Sequence, residues 1–219
     1  MQQRTPKQRW SAAAARLADA LKAAGHVALF DQADADDIQD TFDDLRTCQL
    51  EPSNRLGVLY QQANPSEVSI APWIYDTLDF IHIRDLADVH RGVAWHPKKK
   101  RRLAESWRGR WIIIALSGRD PYFVNASLPE MPVYTDTYGL GAWRPQQVAS
   151  TLEGFFDLCV LWTESFIQPG LHPELAVYHE QRDTQGLERT QKAWRSFLRE
   201  LKRRDPQAFE AGFWTRGQR

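Results

Sequence analysis

Two hydrophobic periods run along the chain, and the clearest strand signal lies near its middle. Trp111–Leu116 is a continuous, β-branched apolar run, as in a strand buried on both faces, and Pro121–Asn125 is a second run. Between them, Ser117-Gly118-Arg119-Asp120 carries a glycine and leads into an Asp-Pro step. Both are turn signals, so the pair predicts an antiparallel hairpin. A third run, Val133–Thr135, follows Leu128-Pro129-Glu130-Met131-Pro132. Those prolines cannot donate to a central ladder and belong to the connection. Gly139 and Gly141, beside Trp143, permit positive φ or a close backbone approach. Weaker strand signals at Val27–Phe30, Val68–Trp73, Leu78–Ile83 and Val93–Trp95 complete a small antiparallel sheet.

Elsewhere the period is helical. Trp10, Ala14, Leu17 and Leu21 share a face and predict a helix over Ser11–Ala24, capped by Ser11 and ended by Gly25. Ile38, Phe42 and Leu45 give the acidic stretch Asp31–Asp44 one buried stripe. Leu56, Leu59, Tyr60 and Ala63 mark a helix over Ser53–Ala63 that Asn64-Pro65 stops. Asp85–His90 reads as a short helix with Leu86 and Val89 inward. Ser150–Phe166 is the best-signalled helix, with Ser150 and Glu153 as a capping box and a broad apolar face from Leu152 to Phe166. His179–Gly186 reads as a polar loop before a final long helix, Leu187–Arg204, whose basic last turn suits the dipole. Asp205-Pro206 then opens a last short helical turn. The elements predict an α+β fold in a single domain, residues 1–219. A central antiparallel sheet is flanked by N-terminal and C-terminal helices, those beyond about residue 171 forming an extension.

Composition changes this picture in three places. Lysine plus arginine equals aspartate plus glutamate, at 28 each, so any electrostatic argument must be local. Asp31–Asp44 holds seven aspartates and no base, which reads either as a solvated face or as an acidic patch for a basic partner. Lys98–Arg102 is a run of five bases; without a base-stacking motif or a helix-turn-helix it reads as a solvated loop, and nucleic acid is not the expected partner. Cys48 and Cys159 form neither a disulfide framework nor a zinc site, no leader pattern opens the chain, and no run approaches a membrane span. A cytoplasmic protein is expected.

Catalytic patterns are missing from the sequence. There is no phosphate-cradling glycine loop, no G-x-S-x-G and no histidine pair at metal-ligand spacing. No catalytic residue, metal site or cofactor is predicted. The nine tryptophans are read chiefly as core.

Asp120-Pro121-Tyr122-Phe123-Val124, Pro132-Val133-Tyr134-Thr135, Gly139-Leu140-Gly141-Ala142-Trp143 and Val148-Ala149-Ser150-Thr151-Leu152 follow one another in a characteristic order. In that order the chain resembles the SUKH superfamily, which includes Smi/Knr-type fungal regulators and many bacterial immunity proteins. It departs at Tyr138, where such proteins often carry histidine, and at Asn64-Pro65, where they often carry Asn-Gly. The resemblance implies a sheet with helices packed around it. It also implies a non-catalytic protein-binding module, foremost an immunity protein that neutralises a cognate toxin by binding and occlusion. A regulatory scaffold is the alternative, and a nucleic-acid-binding protein or enzyme is less expected. A toxin such as a nuclease is basic where it holds phosphates. Asp36, Asp37 and Asp40 are therefore the expected contacts, with Tyr138 and Trp143 as aromatic anchors.

Overall fold

A computed structural model describes residues 6–93, 95–96, 101–102, 107–140, 142–168 and 171–216. The chain begins with α1 (Pro6–Ala23), β1 (Ala28–Asp31), α2 (Ala35–Thr47) and α3 (Asn54–Ala63). β2 (Asn64–Ile70), β3 (Leu78–Phe80), a 3-10 turn (Ile83–Asp85) and α4 (Leu86–Val93) follow. A two-residue ribbon, β4 (Trp95–His96) with β5 (Arg101–Arg102), precedes the central hairpin, β6 (Trp111–Ser117) and β7 (Asp120–Asn125). β8 (Val133–Thr135), β9 (Gln146–Ala149), α5 (Leu152–Phe166), α6 (Leu175–Gln181), α7 (Thr184–Arg204), α8 (Pro206–Glu210) and α9 (Phe213–Arg216) complete it.

Among the described residues the main sheet has seven strands in the order β1-β2-β3-β6-β7-β8-β9, and every neighbour is antiparallel. The fold is α+β, with the predicted hairpin at its centre. β6 is buried from Trp111 to Ala115 because both of its faces are covered. β7 divides its side chains between those faces. The Tyr122 ring lies 5.9 Å from Phe155 of α5, while Phe123 lies 4.9 Å from Trp111 and 5.0 Å from Trp107.

On the first face, α5 presents Phe155 and Phe156 to Phe80 and Phe30 at 5.5–6.2 Å. Further along α5, Trp162 is ringed by Trp73, Phe166, Trp194, Phe197 and Trp214. The C-terminal helices therefore share one continuous cluster of buried side chains with the sheet. They also cover the β9 edge, where the indole of Trp214 donates to the Val148 carbonyl at 2.9 Å.

On the second face, His90 of α4 is fully buried, and its Nε2 accepts from the Ile113 backbone N–H at 2.9 Å beside the β6 bulge. Trp107 stands edge-on to the same imidazole at 6.1 Å. Burial pushes the His90 pKa down to about 3. A neutral folded imidazole and an ordinary unfolded one near 6.5 mean that the unfolded chain binds the extra proton between those values. Stability is thus fully present above pH 6.5 and falls as the pH drops toward 3. The expected loss is about 2 kcal/mol between pH 7 and pH 5, read as the urea midpoint. His90→Gln, which retains an acceptor for Ile113, is expected to flatten that slope.

Several elements differ from the pattern prediction. α1 begins at Pro6, so Ser11 lies inside the helix and its hydroxyl meets Gln62 of α3. The helix after β9 is capped by Thr151, whose hydroxyl accepts from Gly154, while the Ser150 N–H goes to Asp205. Val148-Ala149, which precede the predicted helix, lie in β9, and β9 pairs with β8. Most of His179–Gly186, expected as a loop, is helical, because the Asp183 side chain caps α7 by accepting from Gly186. Gly141 and Lys98–Lys100 lie outside the described residues.

Candidate recognition surface

The acidic stretch folds into a helix with one buried stripe, as predicted, but the helix starts at Ala35: Asp31 closes β1 and Asp34 is the N-cap. Ile38, Thr41, Phe42 and Leu45 face inward, and Gly57 of α3 lets α2 come close. A Cβ at that glycine would stand 3.3 Å from Ile38 Cγ2 and 3.4 Å from a Phe42 ring carbon. Asp36 and Asp37 occupy the first turn, where the helix dipole favours negative charge.

The aspartates then divide by helical spacing. Asp37 accepts from Arg84 Nη2 at 2.8 Å and from its Nε at 3.2 Å, which holds the guanidinium pKa above its ordinary value. Asp44 pairs with Arg91 at 3.1 Å, and Arg91 also holds Asp88 at 2.6 Å. Asp43 accepts from Gln39 at 3.0 Å and pairs with Arg46. The Gln39 bond and then Arg46 lower the Asp43 pKa. Asp36 and Asp40, four residues apart on the exposed side, have no cation partner among the described residues. Beside them a groove of about 380 Å³ runs between α2 and the Arg84–Ala87 turn, and Asp37, Asp40, Thr41, Asp43 and Asp44 line it.

Tyr138 and Trp143 lie elsewhere, in the segment between β8 and β9. Trp143 is half-buried and meets Trp107 edge-on at 4.9 Å. Tyr138 lies 6.4 Å from Trp143, carries the Arg119 guanidinium over its ring at 5.3 Å, and donates its backbone N–H to Asp120 at 2.8 Å. Both rings are thus engaged in the layer over the second sheet face. That layer reaches α2 through α4, where His90 meets Trp107 and Arg91 meets Asp44. The structure brings Asp37 and Asp40 together at one groove, leaves Asp36 exposed and out of its lining, and places the two aromatics on a separate loop.

Sequence reasoning missed Arg84, which joins the acidic face from 47 residues away, and no local signal marks it. It also missed a cleft of about 360 Å³ at the hairpin end, lined by Tyr75, Asp76, Arg119, Asp120, Asp136 and Phe213. There Gly118 has φ +57°, and the Asp76 carboxylate lies 2.6 Å from where a Cβ would stand. Among the described residues no cluster of three or more histidine, cysteine or acidic side chains is placed to hold a metal ion. None of the described helices is long and apolar enough to cross a membrane.

Comparison of the chain with protein-family models and with curated proteins finds no match.

Proposed function

We propose that this chain is a non-catalytic recognition module that takes a basic protein on the Asp36/Asp40 face of α2. In the same reading it is an immunity protein of the cytoplasm that neutralises a cognate bacterial toxin by occlusion. The observation that carries the proposal is the pair of exposed carboxylates that have no cation partner among the described residues, while Asp37, Asp43 and Asp44 beside them are each paired. A partner's lysine or arginine would complete the set. Local negative charge also speeds encounter with a basic surface. The order of motifs from Asp120 to Leu152 supports the immunity role by its resemblance to the SUKH superfamily. The buried titratable groups support a non-catalytic reading. Burial pushes His90 down to about 3 and raises the pKa of Tyr60, Tyr122 and Cys159, away from the neutral range a general acid or base works in. Two free, buried thiols accord with a reducing compartment.

The test is protection of growth. The basic protein captured by the tagged full chain is expressed alone, with this chain, and with its Asp36→Lys/Asp40→Lys variant. Toxicity relieved by the native chain and not by the variant is the expected result. Equal relief by both would remove α2 from the account, and a partner harmless on its own would remove the immunity role.

A further inference from the structure

A second charged face lies on α7. Residues 184–204 hold seven lysines and arginines against Glu188 and Glu200. At about 100° per residue, the buried Thr190, Trp194, Phe197 and Leu201 occupy one side of this helix. Lys192, Arg195, Arg199, Lys202 and Arg203 form an exposed stripe on the opposite side, with Arg189 at its flank. Glu200 takes Arg203 at 2.7 Å and Arg204 at 3.4 Å, and the Lys202 ammonium lies 5.4 Å over the Phe209 ring. Arg189, Lys192 and Arg195 have no acidic partner among the described residues, and Arg199 reaches the Ser196 hydroxyl at 3.5 Å. The helix dipole accounts for the basic last turn alone, because its effect fades within one turn. It leaves Lys192, Arg195 and Arg199 unexplained.

We propose that this stripe binds the phosphate backbone of a nucleic acid. Successive cations rise by about 4.5 or 6 Å along the axis, so Lys192 to Lys202 makes a row about 15 Å long that suits a polyanion. Three of the five cations on this helix without an acidic partner among the described residues are arginines, whose planar fork grips phosphate oxygens in pairs. The side chains exposed on α7 are polar or charged throughout, so the face has no apolar anchor of the kind a protein partner would seat. Phosphate contacts need only charge and donors, and they carry no sequence preference. This site shares no residue with α2, so it stands or falls apart from the proposed recognition of a basic protein.

The experiment is fluorescence anisotropy of a labelled single strand of about 20 nucleotides with the full chain, at about 50 and about 200 mM salt. The native chain is expected to bind at low salt and to weaken steeply as salt rises. Lys192→Gln/Arg195→Gln/Arg199→Gln is expected to lose at least about tenfold in affinity and to flatten the log–log salt slope by about 2. Glutamine keeps the helix propensity, and an unchanged urea midpoint verifies the fold. Asp36→Lys/Asp40→Lys should bind the strand at least as well as the native chain. No binding by the native chain at low salt, or equal binding by the triple variant, would overturn the proposal. So would light scattering that shows self-association without nucleic acid, abolished by the triple variant, since the stripe would then serve the acidic α2 of a second copy.

Discussion

Trp162→Ala is expected to remove about 3–5 kcal/mol of folding free energy, a large share of the ~5–15 kcal/mol by which a domain is usually stable. Trp162 is fully buried on α5 and contacts five other rings, the nearest being Phe166 at 4.4 Å and Trp73 at 4.8 Å. These rings come from the segment before β3, from α5, from α7 and from α9, so the side chain joins early and late parts of the sequence. Its indole N–H also donates to the Pro72 carbonyl at 2.8 Å. Truncation would lose the apolar transfer term, open a cavity whose walls relax only in part, and strip the Pro72 carbonyl of its donor. Urea unfolding followed by near-ultraviolet circular dichroism reads the effect. Trp162→Phe should fall well short of it, because most of the ring contacts survive. An alanine variant with an unchanged midpoint would mean that the aromatic cluster does not hold the C-terminal helices to the sheet.

Asp205→Ala is the second large effect, at about 2–4 kcal/mol. This carboxylate is 5 % exposed and joins two structural levels. Oδ2 accepts from the Ser150 N–H at 2.7 Å, at the junction of β9 and α5, and Oδ1 accepts from Ala208 at 3.0 Å, capping α8. Alanine would leave both N–H groups without their acceptor at sites water reaches poorly. Asp205→Asn keeps one carbonyl oxygen but turns an amide donor toward the other N–H, so partial rescue is expected. The urea midpoints of the two variants, compared with the native chain, decide it. Equal midpoints for all three would show that the carboxylate contributes nothing to docking α8.

The elements legible in the sequence were those whose signals are local. The hairpin of β6 and β7 is specified by a β-branched run and its turn, and the buried face of α2 by the spacing of Ile38, Phe42 and Leu45. Apart from the Asp183 cap of α7, the features that escaped depend on partners far along the chain. Thr151 caps α5 in place of Ser150 because Asp205, 55 residues on, holds the Ser150 N–H. Val148-Ala149, which carry no strand signal in the sequence, lie in a strand because β8 offers an edge and Trp214 a donor. At the candidate surface, composition located the aspartates but could not divide them. Arg84 and Arg91 come from around α4, each 47 residues from the aspartate of α2 it holds, and their placement separates the paired Asp37 and Asp44 from Asp36 and Asp40. Tyr138 and Trp143 are the expected aromatic anchors, and nothing near them in sequence foretells the Trp107 ring that Trp143 packs against.

The central claim is that the exposed carboxylates of α2 hold a basic protein. It is tested most directly by titrating the captured partner into the native chain and into Asp36→Lys/Asp40→Lys, at low and moderate salt. The account predicts a one-to-one complex that weakens with salt and loses at least about 30-fold in affinity in the variant. It also predicts a milder loss for Asp36→Asn/Asp40→Asn, which removes the charge without reversing it. Equal affinity for the native chain and the charge-reversed variant would contradict the account and leave the acidic helix as a solvated face.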